Sequence, residues 1–353
     1  MDLTLAVALL ISAAIILFLF SLLSILYLKS HTCKNPIDID QPLDNPLAKT
    51  NSIIKLKSSE VDALTSNFNP STIIGEGGFS TVHLVPFKSY SFVAVKVLNV
   101  HRAFHQELDI VLRLNHPSIV KLIAYSDEKD QNILVFEYIP NGTLHDRILN
   151  CVIPLPWSKR ITILYNVALA LDYLHEGCGL QIIHGDIKSS NILLDENLEP
   201  KICDFGSAKM GFSAAITRSE KQMMGSLGYV DPHYLRTGSM SKKSEVYSFG
   251  VLIMELITGM EAFDPEKERL LTTVMAPVMG AEGEEIRIKR IKMKKFVDPK
   301  LGHEYDVDEV LAMTLLAARC VAEQPALRPS MAEVVKIMKE NVGIVSSKGR
   351  VGV

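Results

Sequence analysis

Between His184 and Gly206 the chain reads His184, Gly185, Asp186, Ile187, Lys188, then Asn191, and after a short gap Asp204, Phe205, Gly206. A carboxylate at Asp186 can accept a hydroxyl proton, and Lys188 can meet a transferring phosphoryl group. Asn191 and Asp204 carry the hard oxygens that hold Mg²⁺ on triphosphate. Phosphoryl transfer requires that division of labour, because its catalysis is mostly positioning and charge stabilisation.

A second cluster lies upstream. Gly75, Glu76, Gly77, Gly78, Phe79, Ser80, Thr81 and Val82 sit between two strand-like runs, where glycines permit a tight hairpin whose amides approach phosphates. Such a turn alone is a common hairpin. It gains meaning from Val93, Ala94, Val95, Lys96: a lysine ending an apolar strand behind that hairpin can reach the α and β phosphates instead of snorkelling to water. Glu107 is the sole acid between Lys96 and Leu108, in a helical pattern with Phe104, Leu108 and Val111, and is the expected partner of Lys96.

These residues need a scaffold. Alternating apolar runs with turn signals extend to about residue 140, whereas Ile161, Leu164, Val167, Ala168 and Leu171 after Trp157 have helical spacing. A strand-rich lobe is therefore expected before a helix-rich lobe, an α+β arrangement. Residues 29–59, with Pro36, Pro42 and Pro46, read as a solvated linker, 60–341 as the folded domain and 342–353 as a disordered tail.

The 26 residues Leu3 to Leu28 carry no charge. At about 1.5 Å rise they exceed the roughly 30 Å hydrocarbon core, so a transmembrane helix over 3–28 is expected. Residues 1–2 would then be an extracytoplasmic stub, with Lys29, His31 and Lys34 keeping the remainder cytoplasmic. The formal charge of −3 and the absence of a basic, aromatic-laced patch give no reason to expect nucleic-acid binding. Five scattered cysteines show no zinc or disulfide spacing.

The order of these motifs resembles protein kinases from about residue 60 to 341. Val135 to Leu144, the Leu64, Thr65, Asn67, Phe68 entry, Gly225 to Pro232, Val246 to Gly250, and Arg328, Pro329, Ser330, Met331 resemble plant receptor-like kinases. The resemblance implies a two-lobed fold, ATP with Mg²⁺, and protein substrates. It places Ile74, Gly75, Glu76, Gly77, Gly78, Phe79, Ser80 and Val82 over the nucleotide, and Val82, Ala94 and Leu193 around the base. It puts Phe136 at the pocket edge, Glu137 and Ile139 as backbone hydrogen-bonding positions, Asn191 and Asp204 on the metal, and Asp186, Lys188, Lys96 and Glu107 as catalytic. Lys188 two residues after Asp186 is the family's serine/threonine arrangement. The family also implies the plasma membrane and, with so short a stub, service to a separate ligand-sensing receptor.

Four residues depart from the family pattern. Gly185 replaces an arginine that would anchor a phosphorylated activation loop, so activity is expected not to depend on phosphate at Ser213, Thr217 or Ser219. Ser80 replaces a loop glycine. His233 stands where a glutamate pairs with the counterpart of Arg328, predicting a weaker anchor because an imidazole is no carboxylate. Glu245 replaces an aspartate that holds the catalytic loop, predicting a small shift in register. The Lys96 to Glu107 interval is short and is expected to hold the helix inward. The alternative is a pseudokinase scaffold that binds nucleotide without turnover; a small-molecule phosphotransferase is disfavoured by the peptide-binding segment Gly225 to Pro232.

Overall fold

The computed structural model describes residues 53–78, 80–87, 90–128, 132–211, 215–216, 225–279 and 285–342. The expected span 3–28, most of the linker, the tail beyond Val342, Phe79, Ser213, Thr217 and Ser219 lie outside them, whereas Val342 itself is buried and donates to Met338 O. Among the described residues no helix is long and apolar enough to cross a membrane.

The first lobe is a six-stranded sheet in the order β1-β5-β6-β4-β3-β2. Its strands are β1 (Ile54–Lys55), β2 (Ile73–Glu76), β3 (Ser80–Phe87), β4 (Tyr90–Leu98), β5 (Leu122–Ser126) and β6 (Ile133–Glu137). Helix α1 (Ser58–Leu64) precedes β2, and α2 (His101–Val111) follows β4. β1 corrects the expected linker end at 59: Ile54 pairs in parallel with Ala124 and Leu56 is buried. A two-residue strand is too short to show alternation in sequence.

Side-chain alternation splits the sheet between two cores. Val85, Val93, Val95, Ile133 and Val135 pack with Val61 of α1, whereas Leu98, Leu134 and Phe136 face the larger cluster that includes Phe104 and Leu108 of α2. That second face turns toward the helical lobe, so α2 joins the sheet to the segment that follows Asp204.

The second lobe contains α3 (Leu144–Leu149) and α4 (Trp157–Asp172), then the short strands β7 (Gln181–Ile183), β8 (Ile192–Leu194), β9 (Pro200–Ile202) and β10 (Lys209–Gly211). Next come α5 (Pro232–Thr237), α6 (Lys242–Thr258), α7 (Leu271–Met279), α8 (Ile286–Met293), α9 (Val307–Cys320) and α10 (Met331–Asn341). α6 is buried almost all round, from Ser244 to Thr258, as a central helix must be. Gly250 lets α9 approach it: a Cβ there would lie 2.7 Å from Cys320 Cβ. α4 ends in a π-helical turn, Tyr173–Gly177, that carries His175 into the interior against α6.

The lobe also holds buried ion pairs. Arg160 of α4 donates to Asp298 at 2.6 Å and to the carbonyls of Leu155 and Leu256, so its charge is matched and its donors used. The anchor expected to be weak at His233 is supplied elsewhere. Arg328 makes a two-pronged contact with Asp231, Nη1 to Oδ2 and Nη2 to Oδ1, both 2.8 Å. Both side chains are buried, so the missing glutamate does not leave the arginine without a counter-charge.

Candidate active site

The glycine-rich turn joins β2 to β3. Gly75 pairs with Val82 and Glu76 with Thr81, and Gly77 N–H donates to Ser80 O at 2.8 Å to close the turn. Ile74 is half-exposed at its outer face. Ser80 opens β3 within the regular ladder, so a side chain at that loop position is accommodated, and Gly78 has no neighbour that a Cβ would meet.

Strand register sets the neighbours of the predicted base pocket. Val82 pairs with Lys96, and Ala94 with both Leu84 and Phe136. Glu137 ends β6, its carboxylate accepting from Lys121 N–H at 2.9 Å and Lys201 Nζ at 3.1 Å, while Ile139 is buried just beyond. Leu193 lies on β8, bridged to Thr143. Cys203 precedes Asp204; burial and the adjacent carboxylate push its thiol up to about 12, which suits a small apolar group and not a nucleophile.

Lys96 is the hub between lobes. Its Nζ lies 2.7 and 2.9 Å from the two oxygens of Glu107 and 2.7 Å from Asp204 Oδ1. Glu107 is buried, and its helix is therefore inward, as the short connection predicts. Burial opposes the charge on Lys96, yet Glu107 and Asp204 outweigh it and hold the ammonium above the ordinary lysine value. Burial would likewise raise Asp204, but Lys96 overrides it and the carboxyl falls below its usual range. Both groups are thus charged at neutral pH.

The loop from His184 to Asn191 is wired from beneath. His184 Nε2–H donates to Cys203 O at 3.0 Å while Nδ1 accepts from Asp186 N–H, a tautomer fixed by its two partners. Its ring packs edge-on against the buried Phe205 at 4.8 Å. Gly185 adopts φ +81°, and a Cβ there would meet Ser207 O at 2.8 Å, so the missing arginine coincides with a backbone that favours glycine. Gly185 N–H donates to Glu245 Oε1 at 2.9 Å, while the other carboxylate oxygen meets His175 at 2.7 Å. Burial disfavours that carboxylate, but the His175 contact and the amide bond keep its pKa below the ordinary value. The longer side chain at 245 therefore still reaches the loop.

Around Asp186 the side chains converge. Lys188 Nζ is 2.8 Å from Oδ2, and Asn191 Nδ2 donates to the Asp186 carbonyl at 2.8 Å and to Oδ2 at 3.1 Å. Asn191 uses its donor end here, leaving an amide oxygen as a ligand atom. Ser226 Oγ donates to Asp186 Oδ1 at 2.9 Å and accepts from Lys188 at 2.7 Å. Ser226 was legible only as part of a peptide-binding segment, because its contact crosses 40 positions. Gln106, which donates to Ala208 O at 2.7 Å and ties α2 to the segment after Asp204, was missed, because its partner lies 102 positions away in sequence. Asn191 and Asp204 offer hard oxygen donors of the type a divalent cation prefers.

The protein kinase domain family matches residues 68–338. Salt tolerance receptor-like cytoplasmic kinase 1 of Oryza sativa subsp. japonica is 44% identical over 333 residues, 91% of this chain and 89% of that protein. An Arabidopsis thaliana protein named as a receptor-like protein kinase is 41% identical over 87% of this chain and 94% of its own length. Serine/threonine-protein kinase PBL34 of the same plant is 34% identical over 81% of this chain and 60% of that protein.

The expectation of a single-pass plasma-membrane protein is corrected by these findings. The rice relative is named a cytoplasmic kinase, and no described helix could cross a bilayer. An uncharged run of sufficient length meets a thickness criterion, which concerns partitioning of a segment and not the residence of a protein. Relatedness over most of the chain, together with the convergence of Lys96, Glu107, Asp186, Lys188, Asn191 and Asp204, leads to one conclusion: the chain belongs to the protein kinase family, in its plant receptor-like branch.

Proposed function

We propose that this protein serine/threonine kinase transfers the γ-phosphate of Mg²⁺·ATP to protein hydroxyls in signalling downstream of a separate ligand-sensing receptor. The carrying observation is the double engagement of Lys96 by Glu107 and Asp204 beside an Asp186 already held by Lys188, Asn191 and Ser226. The receptor part rests on relatives named as receptor-like kinases.

In this reading Asp186 orients the attacking hydroxyl and takes its proton, with Ser226 fixing one oxygen and Lys188 the other. Lys188 also meets charge developing on the transferred group. Lys96 holds the nucleotide phosphates, and Glu107 keeps its ammonium aimed from a buried position. Val82, Ala94, Phe136, Ile139 and Leu193 enclose the base, with the backbone at Glu137 and Ile139 reading its edge. Ile74 to Gly78 and Ser80 form the cover. Asn191 and Asp204 would hold Mg²⁺, whose chemistry is neutralisation of phosphate charge.

Transfer of labelled γ-phosphate by the purified protein to itself and to a generic protein acceptor tests this reading, with Asp186→Asn alongside. Incorporation that disappears in the variant is expected. No incorporation by the unaltered protein, with nucleotide still bound, would replace catalysis by a scaffold role.

A further inference from the structure

The segment Gly225 to Tyr229 reaches the reacting carboxylate through Ser226, and three further contacts secure Tyr229. Its hydroxyl accepts from Ser189 N–H at 3.1 Å and meets buried Glu255, and its carbonyl accepts from Ser248 Oγ at 2.8 Å. Two residues on, the chain turns into α5 at Asp231. This carboxylate accepts His233 N–H at 2.9 Å as the helix N-cap, with Pro232 at the first helical position.

An N-cap needs one acceptor and no counter-charge. Asp231 does more: both oxygens grip Arg328, which lies before α10 and 97 positions away in sequence. Arg328 also donates to Lys243 O at 2.9 Å and Ala322 O at 2.8 Å, and its guanidinium stacks over Tyr247 at 5.2 Å. The guanidinium is thus fixed by the ends of α6 and α9, and among the described residues Asp231 is the carboxylate paired with it. His233 is half-buried and contributes its backbone, the N–H to Asp231 and the carbonyl to Thr237 Oγ at 2.9 Å.

We propose that Asp231 is the positioning residue that fixes the substrate-facing segment Gly225–Tyr229 through Arg328, in place of the acid absent at His233. The carboxylate that meets Arg328 lies two positions nearer the reacting centre than His233, so the tether is one residue from Val230 and two from Tyr229. His233 is released from the anchoring role, and capping and ion pairing fall to one side chain. The inference rests on the kinase reading for its catalytic consequence but not for its structural one.

Asp231→Ser separates the two roles, because serine keeps an N-cap acceptor and removes the counter-charge. In the full chain, amide hydrogen exchange at 225–230 is expected to accelerate by about tenfold or more in this variant. The KM for a protein acceptor is expected to rise by about tenfold while that for ATP stays within about twofold. His233→Ala should change neither. Asp231→Ser with His233→Glu should recover most of both losses, since a carboxylate is again available to Arg328. If Asp231→Ser does not yield folded protein, Asp231→Asn carries the same expectations with an isosteric, uncharged group.

Unchanged exchange and KM in the Asp231 variants would overturn the proposal, as would a His233→Ala protein as impaired as they are, or a double variant with no recovery. Hydrogen exchange reads the tether even in a protein that transfers no phosphate, so failure here and failure of the kinase reading are distinguishable.

Discussion

Gly185 illustrates how one residue type carries two messages. From sequence it signals a lost arginine; in the fold it is a backbone at φ +81° pressed against Ser207 O. Gly185→Arg is therefore expected to lower stability by about 1–3 kcal/mol without producing phosphate-dependent activation, measured as a fall in Tm beside an activity assay. Lys96 is the opposite case: a strand end behind a glycine turn pointed to its pairing with Glu107, while its contact with Asp204 crosses 108 positions. Lys96→Met should cut kcat by about a hundredfold or more while the fold persists, checked by circular dichroism and phosphate transfer. A Lys96→Met protein as active as the unaltered one would remove Lys96 from the phosphate site.

At the scale of elements, α6 sets much of the second lobe. It presents Glu245 to the loop that carries Asp186, Ser248 and Glu255 to Tyr229, and Gly250 to α9. Burial pushes Glu255 up to about 7, against hydrogen bonds from Tyr229 and Ser189. An acid raised in the folded state keeps a proton that the unfolded chain has lost, so stability falls as pH rises from the ordinary carboxylate range to about 7. The full effect is about 3 kcal/mol, absent below pH of about 4.5 and complete above about 7. Glu255→Gln should flatten this part of the Tm against pH curve, and an unchanged slope would show that another group produces it. Gly250→Ala is expected to destabilise by about 1–3 kcal/mol, read in urea, because Cys320 Cβ and Val321 on the facing element occupy the space.

For the whole molecule, Lys96 joins α2 in one lobe to Asp204 in the other, so nucleotide and metal should stabilise the domain as a unit. ATP at about 100 times its Kd adds about 2.7 kcal/mol, expected as a rise in Tm with Mg²⁺ that chelation largely abolishes. A shift indifferent to chelation would remove the metal from the nucleotide site. Arg160, enclosed between α4, α6 and Asp298, sets a second global test. Arg160→Ala leaves Asp298 buried without its partner and should cost about 3–5 kcal/mol in chemical denaturation.

The side chains that converge in the candidate site were legible in the sequence because each lies in a short motif whose local geometry is enough to place it: a hairpin, a strand end, a helix face, a loop. The two-lobed order was legible from the change of apolar period after Trp157. Sequence also showed an apolar amino-terminal run, yet from length and hydropathy it overstated what that run says about location. What only the tertiary structure decided are contacts between residues far apart: Ser226 on Asp186, Gln106 on Ala208, Glu245 reaching Gly185 despite its extra methylene, and Asp231 on Arg328 where His233 predicted a gap. Backbone direction and spacing determine the first kind of placement. The second depends on which side chain arrives within about 3 Å once the chain has packed, and a shift of one turn or two residues is invisible to a linear pattern.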